Sequence, residues 1–211
     1  ENPDRVARLG IMYSKGLEAG GVMAVAKHFP GHGDTSTDSH KTLPTVNHDR
    51  NRLDNFELYP FKKYIEAGLS GMMVGHLYVP VLDEKKQPSS LSSLIATNLL
   101  KNELGFSGLV FTDGLQMKGV SDEENYCVRA LLAGNDILLG PVSVVKEYNS
   151  VKKAVEDGLI SKELLESKCK KVLAYKYILN VNKTPVNTTG LIKRLNMPKA
   201  DLLNRDLNKE S

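Results

Sequence analysis

What this chain has little of narrows it first. It contains two cysteines, Cys127 and Cys169, too few and too far apart for a disulfide scaffold or a zinc-ligand spacing. Each falls on a helical stripe, Cys127 among Val128, Leu131 and Leu132, and Cys169 with Leu165, Val172 and Leu173. Both are expected as buried small hydrophobes with no catalytic role. No apolar run approaches the roughly 18 residues of a membrane span. No signal-peptide pattern is visible in a chain that opens on Glu1-Asn2-Pro3-Asp4, which reads as a helix start rather than a natural N-terminus. Charge of one sign is scarce too, with a net of +3, unevenly spread. Residues 1–145 carry 14 Lys/Arg against 17 Asp/Glu, and residues 146–211 carry 14 against 8. A basic tail can contact nucleic acid. Here its lysines sit beside acids in helical patterns, with almost no interleaved aromatics beyond Tyr175 and Tyr177, so a solvated helix face is expected and nucleic acid is not.

What is present alternates between helix and strand signals. Short apolar runs at 22–26, 71–75, 108–112 and 136–139 have the character of buried strands. Helical patterns cover 56–67, 94–104, 125–133, 142–156 and 161–179, and a first helix runs from Pro3, capped by Asn2, to Gly20-Gly21. Strands buried on both faces and separated by helices form a parallel α/β sheet. That sheet is either open and doubly wound or part of a (β/α)₈ barrel. Polar residues gathered after several strand ends favour the barrel, whose active site is built that way. Four of eight strands are visible, so the expected fold is the C-terminal half of a TIM-type barrel, about four βα units. Residues 1–181 are assigned to it. Residues 182–211 are expected as a linker and the first helix of a domain beyond.

The densest chemical signal is Lys27-His28-Phe29-Pro30-Gly31-His32-Gly33-Asp34-Thr35-Ser36-Thr37-Asp38-Ser39-His40, opening a loop from 28 to about 50. Loops that long are usually functional. Lys27 and His28, leaving a buried strand together, can donate hydrogen bonds to neutral hydroxyls. Asp38 and His40 are two apart, so a turn lets the carboxylate hold one imidazole nitrogen and prepare the other for proton transfer. The second signal is Phe111-Thr112-Asp113-Gly114-Leu115-Gln116-Met117, an aspartate directly after an apolar strand. Such a carboxylate can attack an anomeric carbon.

Together with Leu43-Pro44, the first segment resembles the signature of glycoside hydrolase family 3, in its bacterial N-acetyl-β-glucosaminidase branch, and 111–119 resembles that family's nucleophile motif. The resemblance extends over roughly residues 1–181. It implies a retaining β-N-acetylhexosaminidase that removes terminal N-acetylglucosamine from glycans such as cell-wall muropeptides, without cofactor or metal. By it Asp113 is the nucleophile, His40 the general acid/base and Asp38 its partner. Lys27, His28 and His76 bind the sugar. It also implies earlier barrel strands, with further sugar-binding residues, that this chain does not contain. A half-barrel leaves sheet edges and apolar surface uncovered, so self-association is expected.

Four rivals stand beside this. His28 and His32 have a metal-like spacing, but Pro30-Gly31 between them forbids the shared helix face such spacing exploits. Asp113 alone could be a strand-end aspartate capping its own turn. A histidine acid/base does not repel an incoming anion, so a phosphorylase using phosphate as acceptor is the alternative enzyme, and a non-catalytic sugar-binding module the alternative outside catalysis. Met117 is expected in the core and His48 at the surface.

Overall fold

The computed structural model describes residues 2–35, 43–181, 187–195 and 197–209. Two compact units divide the chain, Glu1–Leu179 and Asn180–Ser211. In the first, α1 (Pro3–Ala19) starts where the Asn2 side chain accepts from the Asp4 and Arg5 amides at 2.9 and 3.1 Å. That satisfies two of the free N–H groups of a helix start, and Pro3 sits where no N–H is needed. Strand β1 (Val25–Phe29) begins three residues later than expected. The physical reason is that the Val22 amide turns back to the Leu17 carbonyl and closes the end of α1.

The next helical stretch also starts earlier than its apolar pattern suggested, because the Asp49 carboxylate caps the Arg52 amide at 2.7 Å. It runs through α2 (Arg50–Arg52), a π-helical turn at Leu53–Glu57 and α3 (Tyr59–Glu66). Then come β2 (Gly71–Val74), a 3₁₀ turn at Ser89–Leu91, a π-helical segment at Leu94–Glu103 and β3 (Leu109–Thr112). Four helices complete the unit: α4 (Lys118–Ser121), α5 (Tyr126–Ala133), α6 (Val144–Glu156) and α7 (Lys162–Ile178). The second unit holds α8 (Leu191–Leu195) and α9 (Pro198–Lys209).

The architecture is α/β: a small parallel sheet in the order β1-β2-β3 with many helices. The expected fourth strand at 136–139 is reduced to one parallel bridge between Phe111 and Ile137. Asp136 explains the reduction. Its carboxylate takes the Val110 N–H at 3.0 Å, while the amides of Asp136 and Ile137 both donate to the Val110 carbonyl. A side chain thus occupies a position that a strand carbonyl would fill.

The main core lies between the sheet and the helices of its first two crossovers. Phe29, Leu58, Met72, Val74, Leu100 and Val110 are all fully buried, each contributing about 1.5–3 kcal/mol of transfer free energy. The rings of Phe29 and Phe61 meet edge to face at 5.4 Å. A second cluster beneath the end of β3 contains Leu115, Val120, Tyr126 and Cys127. Cys127 is buried as expected, but Cys169 is exposed, although Leu165 of its helical stripe packs against the core. The basic tail is not uniformly solvated either: Lys168 is buried, donating to the Asn135 carbonyl at 2.7 Å. Among the described residues no helix is long and apolar enough to cross a membrane.

Candidate active site

The C-terminal ends of the three strands bring the sequence-predicted residues together. Lys27 and His28 belong to β1, His76 lies two residues past β2, and Asp113 directly follows β3. The sheet's hydrogen bonds run on beyond the strands and hold these ends in register. The Gly75 amide donates to the Phe29 carbonyl at 2.8 Å, and the Asp113 amide to the Val74 carbonyl at 3.0 Å. Gly75 also makes room, since a Cβ there would come within 3.0 Å of the His28 Cβ.

Asp113 divides its two oxygens. Oδ1 accepts the Gly114 N–H at 2.7 Å, and Oδ2 lies 3.5 Å from His28 Nε2. Burial pushes the His28 pKa below its ordinary value, an effect that the Asp113 carboxylate only partly offsets. At neutral pH the His28 ring beside Asp113 is therefore neutral. Lys27 is exposed at the same strand end. This arrangement can present one carboxylate oxygen to an electrophile while a neutral ring and an ammonium offer hydrogen bonds beside it.

Only 2% of His76 is exposed, and both ring nitrogens have internal partners: Nδ1 lies 2.7 Å from Ser90 Oγ, and Nε2 lies 3.0 Å from the Gly114 carbonyl oxygen. His76 thus lies enclosed at the end of β2, with both ring nitrogens engaged within the fold. Ser90 was not visible as a site residue. It sits in a loop rich in Pro and Ser whose sequence carries no periodic signal.

Asp38 and His40 lie outside the described residues. The loop bearing them is anchored on both flanks. On one side, the Thr35 hydroxyl pairs with His32 Nδ1 at 2.8 Å. On the other, Thr45 bridges to Tyr78, with the Val46 amide donating to Tyr78 at 2.9 Å. His48, expected at the surface, is partly exposed and engaged by two carboxylates. Its Nε2 lies 3.1 Å from Asp34 Oδ2 and 3.8 Å from Glu57 Oε1. No motif could have disclosed that contact, which joins residues 14 apart across a loop.

A cavity of about 840 Å³ opens beside β1, with Tyr13, Lys27, His28, His32, Asp34 and Arg52 among its lining. Asp113 is not among the residues that line it. Among the described residues no cluster of three or more His, Cys, Asp or Glu side chains could hold a metal ion. Cys127 offers no nucleophile, because burial, with Glu147 nearby, pushes its thiol up to about 12.

Known proteins match this chain over most of its length. A curated protein named beta-hexosaminidase A, from Pseudoalteromonas piscicida, is 38% identical over 183 residues, covering 78% of this chain and 31% of that one. A beta-hexosaminidase from Neisseria meningitidis serogroup C is 37% identical over 141 residues, 65% of this chain and 38% of its own. The chain thus spans about a third of the length of these curated relatives. A solved glycoside hydrolase family 3 beta-N-acetylglucosaminidase from Paenibacillus sp. str. FPU-7 superposes with a TM-score of 0.83 at 39% identity, covering 86% of this chain and 36% of that one. The profile of the glycosyl hydrolase family 3 N terminal domain matches residues 1–175. The chain therefore belongs to glycosyl hydrolase family 3, through that N-terminal domain.

Proposed function

We propose that this chain carries the chemical residues of a retaining β-N-acetylhexosaminidase. Asp113 attacks the anomeric carbon, while His40, held by Asp38, protonates the leaving oxygen. The glycosyl-enzyme is then hydrolysed by a water that His40 deprotonates, and the sugar leaves with its β configuration. Lys27 and His28 hold sugar hydroxyls. The substrate class is glycans ending in N-acetylglucosamine, including cell-wall muropeptides. In this reading the small parallel sheet is about half of a (β/α)₈ barrel, with the site at its C-terminal end.

The observation that carries the reading is the position of Asp113. It directly follows β3, its backbone is tied to β2, and its free oxygen faces His28 at the end of β1. A carboxylate needed only to cap its own turn would not require a neutral histidine opposite its second oxygen. The names of the curated relatives and of the Paenibacillus structure support the choice of sugar.

The test is hydrolysis of a chromogenic N-acetyl-β-glucosaminide with and without phosphate. It is run on this chain and on a chimera that adds the flanking segments of the Pseudoalteromonas piscicida relative. Hydrolysis by the chimera, indifferent to phosphate, is the expected result. Acceleration by phosphate with release of a sugar phosphate would assign a phosphorylase instead. A folded chimera that binds N-acetylglucosamine without turning over either acceptor would leave a sugar-binding module.

A further inference from the structure

The buried imidazole of His76 has no role in the chemistry above, and its surroundings suggest one. A carbonyl oxygen can only accept, so the Nε2 facing the Gly114 carbonyl must carry the proton. In a neutral ring Nδ1 is then the acceptor, and Ser90 Oγ–H donates to it across 2.7 Å. Burial pushes the His76 pKa below its ordinary value, which keeps that tautomer neutral. Ser90 is itself fully buried, and its carbonyl accepts from Asn135 Nδ2 at 2.8 Å. The result is a directed chain, Asn135 to the Ser90 carbonyl and Ser90 hydroxyl to His76 to Gly114, running under the sheet's active-site end.

Its terminus matters because Gly114 is the residue whose N–H binds Asp113 Oδ1 at 2.7 Å. The Gly114 residue is therefore held at both of its backbone groups: at the carbonyl by His76 from the side and by the Met117 N–H of the following turn at 3.1 Å, and at the amide by the carboxylate it orients. Glycine has no Cβ to limit its rotation, so the direction of the Gly114 carbonyl rests on these hydrogen bonds, and His76 supplies the one that comes from outside the turn.

We propose that His76 is a positioning residue: through the Gly114 carbonyl it fixes the direction in which Asp113 presents its free oxygen, and it does not touch the sugar. The proposal rests on the glycosidase reading and specifies how that site is held. Ser90 belongs to the same device, since it sets the tautomer that lets Nε2 donate.

The test compares His76→Phe, His76→Gln and Ser90→Ala in the chimera. The readouts are kcat, the dissociation constant for N-acetylglucosamine, and the rate at which a slow fluoro-glycoside labels the enzyme. Phe keeps the bulk and loses both hydrogen bonds. Gln can place an amide N–H near the former Nε2. The expected result is a kcat lower by about 100-fold in His76→Phe, the cost of a misplaced reacting group. Labelling should slow in parallel, N-acetylglucosamine affinity should stay within about twofold, and His76→Gln should recover most of the loss. Ser90→Ala, buried out of reach of any sugar, should lose kcat in the same direction. In ¹⁵N spectra of this chain itself, His76 should show a protonated Nε2 and an unprotonated Nδ1. Weakened N-acetylglucosamine binding with kcat retained would return His76 to the sugar and overturn the proposal. So would wild-type kcat in a folded His76→Phe variant, or the opposite tautomer. An unsubstituted chimera that neither hydrolyses nor is labelled would remove the glycosidase reading itself, a different outcome from an active enzyme indifferent to position 76.

Discussion

His28 and Asp113, 85 positions apart in the chain, meet at 3.5 Å across the ends of β1 and β3. The contact has direct consequences for rate. In the proposed site His28 binds a sugar hydroxyl beside the nucleophile, and precise placement of reacting groups is worth up to about 100-fold in rate. His28→Ala should therefore lower kcat/KM for the N-acetyl-β-glucosaminide by about 10- to 100-fold. Steady-state kinetics on the chimera check this, and an unchanged kcat/KM would remove His28 from the site.

Acid should destabilise the fold in two windows. Burial pushes the His28 and His76 pKa values below the ordinary 6.5. As pH falls below 6.5 the unfolded chain takes up protons that the native state resists, so stability declines there and is regained as pH rises above that value. The second window concerns carboxylates. Burial alone would raise Asp136, but Lys101, the Val110 N–H and Lys171 hold it below the usual carboxylate range. Burial is likewise outweighed at Asp83 by hydrogen bonds from Ser92 and Gln87. Their contribution is present above the ordinary 3.8 and is lost as pH falls through the depressed values. Denaturant midpoints between pH 8 and pH 3 should fall in both windows; a flat profile from 8 to 5 would contradict the histidine assignment.

Asp136 should be the most costly single charge to remove. Its nearly buried carboxylate faces Lys171 at 2.9 Å, Lys101 at 3.4 Å and Lys168 at 3.5 Å. Asp136→Asn leaves three ammonium groups around a neutral amide. Breaking a buried charge set in this way costs about 3–5 kcal/mol. Urea unfolding should show a lower midpoint at unchanged slope.

Sequence reasoning reached the parts of this fold that depend on local chemistry. The Asn2-Pro3 start of α1, the strand that ends before Asp113, and the helical stretch from 161 are all written in a few adjacent residues. It failed where a distant group intervened. The Asp136 side chain displaced a strand ladder by binding Val110, 26 positions away, whereas the start at Asp49 is a local cap that the apolar pattern alone does not show. The two π-helical segments share their apolar spacing with an α-helix, so periodicity cannot separate them. The site divides in the same way. Asp113 and His28 announce themselves as polar residues at the ends of apolar runs. Whether His76 faces the mouth or lies beneath it depends on the Ser90 loop packed over it, which no local pattern encodes.

Association is also expected. Among the described residues β1 has no strand on its outer side. Apolar side chains are exposed along α1 at Leu9, Met12 and Tyr13, and along α6 at Val144, Val145 and Tyr148. Apolar surface on that scale favours burial against another chain. Sedimentation of this chain should show concentration-dependent oligomers or aggregates. A monodisperse monomer with a single cooperative melt would contradict the expectation.

The central claim is that Asp113 forms a covalent bond to the sugar, and trapping that bond tests it most directly. The chimera is incubated with a slow fluoro-glycoside of N-acetylglucosamine, digested, and the labelled peptide sequenced by mass spectrometry. The account predicts one glycosyl unit per chain, attached to Asp113, and no adduct in Asp113→Ala. An adduct on another residue, or turnover with Asp113→Ala at near-normal rate, would contradict it.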